Sequence, residues 1–313
     1  MAIDSDDESK VKILGRDCFF IGVGPTKTCT SWMDQMFRQH PEVDLPMHVK
    51  ETFFFSSESQ GGLDRYETLY GDASGKVAGE FGPTYFSDNR AIQAIKKIDN
   101  AKIIISLRDP VERSVSHFLH SFAKGRAKKI DPDFFSNPNV YRSSFYCYWV
   151  KRWIEAVGEE NVILIDSRMV ADSYTSVLSG ISSFIGVSDI PWTSPEKRVG
   201  EGISPRFPIL SKFMAGAASV FRSWGFHKFV NLMKKIGLKG VAFKNGKVSF
   251  EEAGVDTKFL EFLRNEFESS IKFYSDIFDD GTGFASGNKA NALLDLMYEQ
   301  SPDAVAIPEK VLR

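Results

Sequence analysis

The chain has only three cysteines in 313 residues, Cys18, Cys29 and Cys147. An odd number of widely spaced thiols argues against a disulfide framework and fits a reducing compartment. No apolar run approaches the roughly 20 residues that a membrane-spanning helix needs. Residues 1–7 are acidic and lead into no apolar stretch, so no secretory signal is read and a cytoplasmic location is expected. A dominant charge is missing too. Lys and Arg number 39 against 41 Asp and Glu, a formal net charge of −2, which leaves no global field to draw in nucleic acid. The five histidines and three cysteines show no metal-ligand spacing, so no metal centre is expected. Internal repeats and low-complexity stretches are lacking as well.

What is present is an ordinary globular composition, 42% hydrophobic and 26% charged, in a chain long enough to bury a large core. Residues 1–16 read as a flexible, solvated tail, and residues 17–313 as a single α/β domain. Cys18 to Val23, Lys76 to Phe81, Lys102 to Leu107 and Asn161 to Asp166 read as strands. Thr30 to Gln39, Ala91 to Ile98, Asp109 to Lys124, Ser144 to Ala156 and Met169 to Ile185 read as helices. At the third of these, Asp109 is placed to cap, Pro110 suits the first helical position and Glu112 completes a capping box. The alternation predicts a central parallel sheet with helices on both faces. Residues 207–240 mix aromatic and aliphatic residues at helical spacing with lysines, which predicts an amphipathic helical insertion or lid. The same stretch offers a surface for peripheral membrane contact. Asp256 to Phe278 and Ala290 to Glu299 complete a helical C-terminal part.

Two segments carry the chemistry. The first strand runs into Lys27-Thr28-Cys29-Thr30-Ser31-Trp32 and then a helix. Free N–H groups and the helix dipole favour an anion there, hydroxyls add donors, and Lys27 adds a full charge. The loop is not a nucleoside-triphosphate P-loop: Thr26 precedes the lysine where that motif has glycine, and Ile21 stands at the first glycine position. The second segment ends a strand in Arg108, and Ser116 lies about two turns along the following helix. Ligands of open parallel sheets bind beyond the carboxyl ends of the strands. An arginine fork with a serine hydroxyl suits a phosphate monoester, so the pair of segments predicts one ligand with two anionic groups. Each residue also has a plain structural reading: Arg108 as an ion pair with Asp109 or Glu112, Ser116 as helix surface, Trp32 as core packing, Glu51 as a salt bridge with Lys50.

At these residues the chain resembles the sulfotransferases that use 3′-phosphoadenosine 5′-phosphosulfate (PAPS). Lys27 to Trp32 is similar to the family's 5′-phosphosulfate loop, with Cys29 where the usual glycine stands. Arg108 and Ser116 are similar to its 3′-phosphate motif. His40-Pro41-Glu42-Val43, Lys50-Glu51-Thr52-Phe53-Phe54-Phe55 and Glu80 to Phe86 resemble stretches of the bacterial and heparan sulfate sulfotransferase branch. Lys197-Arg198-Val199-Gly200 stands in for the RKG-type segment. The resemblance implies transfer of a sulfuryl group from PAPS to a hydroxyl or amine of a small-molecule or glycan acceptor, leaving 3′,5′-adenosine bisphosphate (PAP). It implies Lys27 and Glu51 as catalytic residues, with His48 and Glu80 as alternative bases. It further implies Lys27, Thr28, Cys29, Thr30, Ser31, Trp32, Arg108, Ser116 and Arg198 as PAPS-binding residues. The competing expectations are a P-loop-type nucleotide kinase and a non-catalytic nucleotide-binding or membrane-docking protein.

Overall fold

Strand β1 (Phe19–Gly22) is flanked by β3 (Val77–Phe81) and β4 (Ala101–Leu107), both parallel to it. The two-residue β2 (Val43–Asp44) extends the sheet beyond β3, and β5 (Val162–Asp166) pairs parallel with β4. These relations come from a computed structural model, which describes residues 10–56, 62–71, 74–127, 138–193, 203–205, 243–245, 250–301 and 306. The sheet is mixed rather than all-parallel. Antiparallel to β5 at one edge runs β8 (Phe284–Ser286), giving the order β2-β3-β1-β4-β5-β8. A separate antiparallel pair joins β6 (Ile203–Pro205) to β7 (Phe243–Asn245).

The apolar runs form buried strands because alternate side chains feed two cores. On one face Phe19, Ile21, Ile103 and Ile105 meet α3 (Asn89–Ile95), α4 (Pro110–Ala123) and α6 (Tyr146–Val157). Also on this face are α10 (Thr257–Glu266), α11 (Glu268–Ile277) and α12 (Gly287–Gln300). On the other face Phe20, Phe81, Ile104 and Ile165 meet α1 (Thr30–Phe37) and α8 (Tyr174–Ile185). The doubly covered α/β sheet predicted from the alternation is therefore the observed fold.

Local differences have local causes. The predicted helix 169–185 is interrupted at Ser173 (φ −150°), which separates α7 (Met169–Asp172) from α8. Phe267 (φ −107°) likewise divides the predicted helix 256–278. Residues 10–16 are docked rather than solvated: Val11 bridges to Ile98, and Ile13 is 1% exposed. Residues 194–202 and 206–242, which hold Arg198 and the whole of the expected lid, lie outside the described residues.

Candidate functional site

Because β1 lies between β3 and β4, successive crossovers leave it in opposite directions, and a crevice opens at the carboxyl ends of these strands. The loop after β1 crosses this end in contact with β4. A Cβ on Gly24 would lie 2.2 Å from Ser106 Oγ and 2.6 Å from Ser106 N, so only glycine lets the backbone pass. The buried Thr28 hydroxyl donates to Pro25 O at 2.6 Å and lies 2.8 Å from Ser106 Oγ. Thr28 therefore braces the loop with its side chain instead of offering that hydroxyl to a ligand.

Two non-glycine residues of the loop have left-handed backbone, Lys27 (φ 82°) and Cys29 (φ 67°, ψ 9°). Cys29 is the N-cap of α1 and makes no side-chain cap hydrogen bond. The first amides of the helix thus keep the concave arrangement that suits an anion. Trp32 N–H is committed to Cys29 O at 2.9 Å, so the amides open to an anion narrow to Thr28 through Ser31. The Trp32 ring packs edge-on to Tyr174 at 6.2 Å, the plain packing role. Left-handed backbone costs a Cβ-bearing residue about 1–2 kcal/mol, which the Thr28 brace and close packing sustain. The Cys29 thiol is pushed up by burial, against the pull of Arg108 and Lys27.

Lys27 is half-buried, and its pKa is lowered by burial and by the nearby Arg108 guanidinium. Among the described residues no carboxylate forms an ion pair with Lys27. Arg108 follows β4 at the neighbouring strand end, where Tyr146 Oη donates to its carbonyl at 2.6 Å. Its Nε and Nη2 bond Glu112 Oε2 at 3.1 and 2.9 Å. The ion-pair reading of Arg108 is thus observed, and Glu112 turns to it rather than completing the capping box; Asp109 alone caps α4, accepting from Glu112 N at 2.8 Å. Glu112 is 62% exposed, so the pair is weak and leaves Arg108 available to a better anion. Ser116 lies on α4, half-buried.

Sequence reasoning missed several groups. Arg113 is fully buried and bonds Ser144 Oγ, Ser114 Oγ, Val140 O and, at 3.3 Å, Thr26 O, tying α4 to the lysine loop. Burial lowers its pKa to about 10. His117 and His120, on the same helix, are both lowered to about 3, first by burial and then by surrounding positive charge that includes Lys27. Both imidazoles are neutral at physiological pH. The available signal was spacing: His120 lies one helical turn beyond Ser116.

The acceptor-side candidates come together across the end of β3. Glu51 Oε1 accepts from Thr84 N at 3.0 Å and from the Thr84 hydroxyl. Its partner is thus Thr84 and not Lys50. Lys50 instead donates to Thr30 Oγ1 at 3.2 Å, at the start of α1, and burial lowers its pKa. A second lysine thereby reaches the loop of Lys27. Glu80 on β3 is 0% exposed, and neither carboxyl oxygen has a well-aligned partner among the described residues. Burial raises its pKa to about 7, although the Tyr85 and Thr52 hydroxyls are near enough to pull it down. His48 is exposed.

Comparison with known proteins now bears on this geometry. Residues 17–194 match the sulfotransferase domain family. The membrane-associated sulfotransferase kil1 of Dictyostelium discoideum is 31% identical over 118 residues, 36% of this chain and 25% of that protein. The human bifunctional heparan sulfate N-deacetylase/N-sulfotransferase 2 is 25% identical over 205 residues, 58% of this chain and 23% of that protein. The chain thus spans about a quarter of the length of these curated relatives. A sulfotransferase from Alicyclobacillus acidocaldarius shares the fold at a TM-score of 0.52 and 22% identity, covering 66% of this chain and 92% of the other. With more than half of its length matched, including both strand-end cation segments, the chain belongs to the sulfotransferase family.

Proposed function

We propose that this chain transfers the sulfuryl group of PAPS to a hydroxyl or amine of a small-molecule or carbohydrate acceptor by in-line displacement. The observation that carries this reading is the pair Lys27 and Arg108: two cations on adjacent strand ends, close enough for Arg108 to lower the pKa of Lys27, with no carboxylate paired to the lysine among the described residues. Like charges so placed are stabilised by a ligand carrying negative charge at both ends. The left-handed turns at Lys27 and Cys29 and the amides of Thr28, Thr30 and Ser31 form a cradle of the same polarity.

When bound, PAPS supplies the sulfuryl group and a stable leaving group, PAP. Lys27 neutralises charge that develops on the leaving side, and the loop amides hold the 5′ end in place. Lys50, through Thr30, adds a second positive charge to the same end. Arg108 and Ser116 anchor the 3′-phosphate, with Arg198 assigned to the same group, and so set the reach of the donor. Glu51 takes the acceptor proton; its Oε1 is fixed by Thr84, which leaves Oε2 to face the acceptor. Glu80 and His48 are not assigned this role, the first because it is enclosed and the second because it is exposed on the surface. The described residues assigned to donor and acceptor lie at one end of the sheet.

We also place the protein in the cytoplasm, where its three free thiols are stable. No helix among the described residues is long and apolar enough to cross a membrane. Family membership does not favour the nucleotide kinase or the non-catalytic reading. The test has two parts. PAP should raise the thermal midpoint while ATP with magnesium should not, and labelled sulfate should pass from PAPS to a member of an acceptor panel. A midpoint gain with ATP alone would overturn the proposal.

A further inference from the structure

A third strand of the sheet also runs into a cation. Asp166, the last residue of β5, pairs with Leu107 of β4, and Ser167 N donates to Leu107 O at 2.8 Å. The Cys29 thiol lies 3.9 Å from Ser167 O. Ser167 therefore touches both segments assigned to the donor, the lysine loop and the end of β4. Arg168 follows it, with a side chain 64% exposed. Its guanidinium is fixed from below. Asp166 is 4% exposed and accepts from Arg168 N at 2.9 Å, from Arg168 Nε at 2.8 Å and from the Tyr274 hydroxyl of α11 at 2.8 Å. Arg168 Nη2 lies 2.7 Å from the same carboxylate, and the guanidinium sits over the Tyr274 ring at 5.2 Å. A buried carboxylate met by four donors is a satisfied anchor. It engages one edge of the guanidinium, through Nε and Nη2, and leaves Nη1 for another anion.

Glu112 connects this arginine to Arg108. Its Oε2 accepts from Arg108 Nε and Nη2 at 3.1 and 2.9 Å. The pKa of Arg168 is raised, first by its bond to Asp166 and also by the nearby charge of Glu112. One carboxylate thus lies in the field of two guanidinium groups, on a side chain 62% exposed that is held by a weak pair. Such a place suits a stronger anion. A phosphate monoester carries three terminal oxygens and nearly two charges, and one arginine fork satisfies two of those oxygens. The remaining oxygen and charge call for a second cation, which a carboxylate does not.

Resting on the sulfuryl-transfer reading, we infer that Arg168 is a further donor-binding residue, which shares the 3′-phosphate of PAPS with Arg108 in competition with the Glu112 carboxylate. The experiment is isothermal titration of PAP, and of adenosine 5′-monophosphate, which lacks the 3′-phosphate, into wild type, Arg168→Gln, Arg168→Lys and Glu112→Gln. Arg168→Gln should weaken PAP about tenfold and leave adenosine 5′-monophosphate within about twofold of wild type. Its amide still donates to Asp166, and circular dichroism checks the fold. Arg168→Lys keeps the ion pair with Asp166 but loses the planar fork, so it should weaken PAP about threefold with the anchor intact. Glu112→Gln should tighten PAP about threefold, because it removes the competing charge while Asp109 still caps α4. That gain is one that a merely turn-closing Arg168 would not produce. Unchanged PAP affinity in both Arg168 variants, an equal loss for the two nucleotides, or no gain in Glu112→Gln would overturn the inference and leave sulfuryl transfer standing. A wild-type protein that binds no PAP would overturn the sulfuryl-transfer reading itself, and that failure is seen before any variant is compared.

Discussion

Lys27 and Arg108 face each other as like charges on adjacent strand ends, whereas Glu51 and Glu80, on the β3 side of the same crevice, are carboxylates held among hydroxyls and rings. The proposed donor side joins the cations Lys27 and Arg108 to backbone devices: a left-handed loop, a helix N-terminus and a glycine that lets the chain pass Ser106. The proposed acceptor side is built from side chains: Thr84 on Glu51, Tyr85 on Thr52, and Tyr66 against Phe54 and Phe55. On the proposed reading, backbone amides and cations recognise what every donor molecule shares, phosphate and sulfate oxygens. Side-chain devices recognise what differs between acceptors. One fold can therefore keep its donor site while its acceptor site changes.

The sharpest way to break this division is at the lysine. Lys27→Ala should lower kcat by about 10³ with the fold retained, because it removes a charge aimed at the developing negative charge; circular dichroism and single-turnover transfer would check this. Next, Glu51→Gln should lower kcat by about 10² and leave PAP affinity unchanged. Isothermal titration with PAP separates the two sides, and a large loss of PAP affinity in Glu51→Gln would mean that they are not independent.

The buried carboxyl sharpens the comparison through pH. Glu80 has a pKa raised from 4.5 to about 7, so the folded protein holds a proton that the unfolded chain has released. Stability from this group is complete below about pH 4.5 and is lost as pH rises to about 7. Glu80→Gln should therefore stabilise the protein by about 2–3 kcal/mol at pH 8, and the gain should shrink at pH 5. Denaturant melts at the two pH values measure it, and an equal effect at both would refute the assignment. The smallest effect is expected on the donor side. Cys29→Gly should raise stability by about 1 kcal/mol by relieving the left-handed N-cap, with donor binding preserved.

Much of this was readable in advance, for reasons that differ between elements. β1, β4 and β5 are buried on both faces, so each is a continuous apolar run that no amphipathic helix imitates. β2 has two residues and β8 three, and neither carries a period. Each exists because a neighbouring strand supplies hydrogen bonds. In the site, Lys27, Arg108 and Glu51 were legible as residue types beside turn and cap signals. Thr28 was legible as a hydroxyl but not in its direction, since Ser106, on another strand, turns it inward. Lys50 was visible only as the neighbour of Glu51, because its reach to Thr30 spans twenty residues and depends on how α1 packs.

By itself the sequence determined the alternation of strand and helix, the chemistry of the two strand-end segments, and the absence of a dominant charge. These follow from local propensity, periodicity and composition, which neighbours in the chain settle among themselves. Tertiary structure alone decided that β4 lies beside β1, so that two cations 81 residues apart share one crevice, and that Glu80 is enclosed while Phe53 is exposed. Proximity, burial and desolvation depend on contacts between distant segments, and no local pattern of residues encodes them.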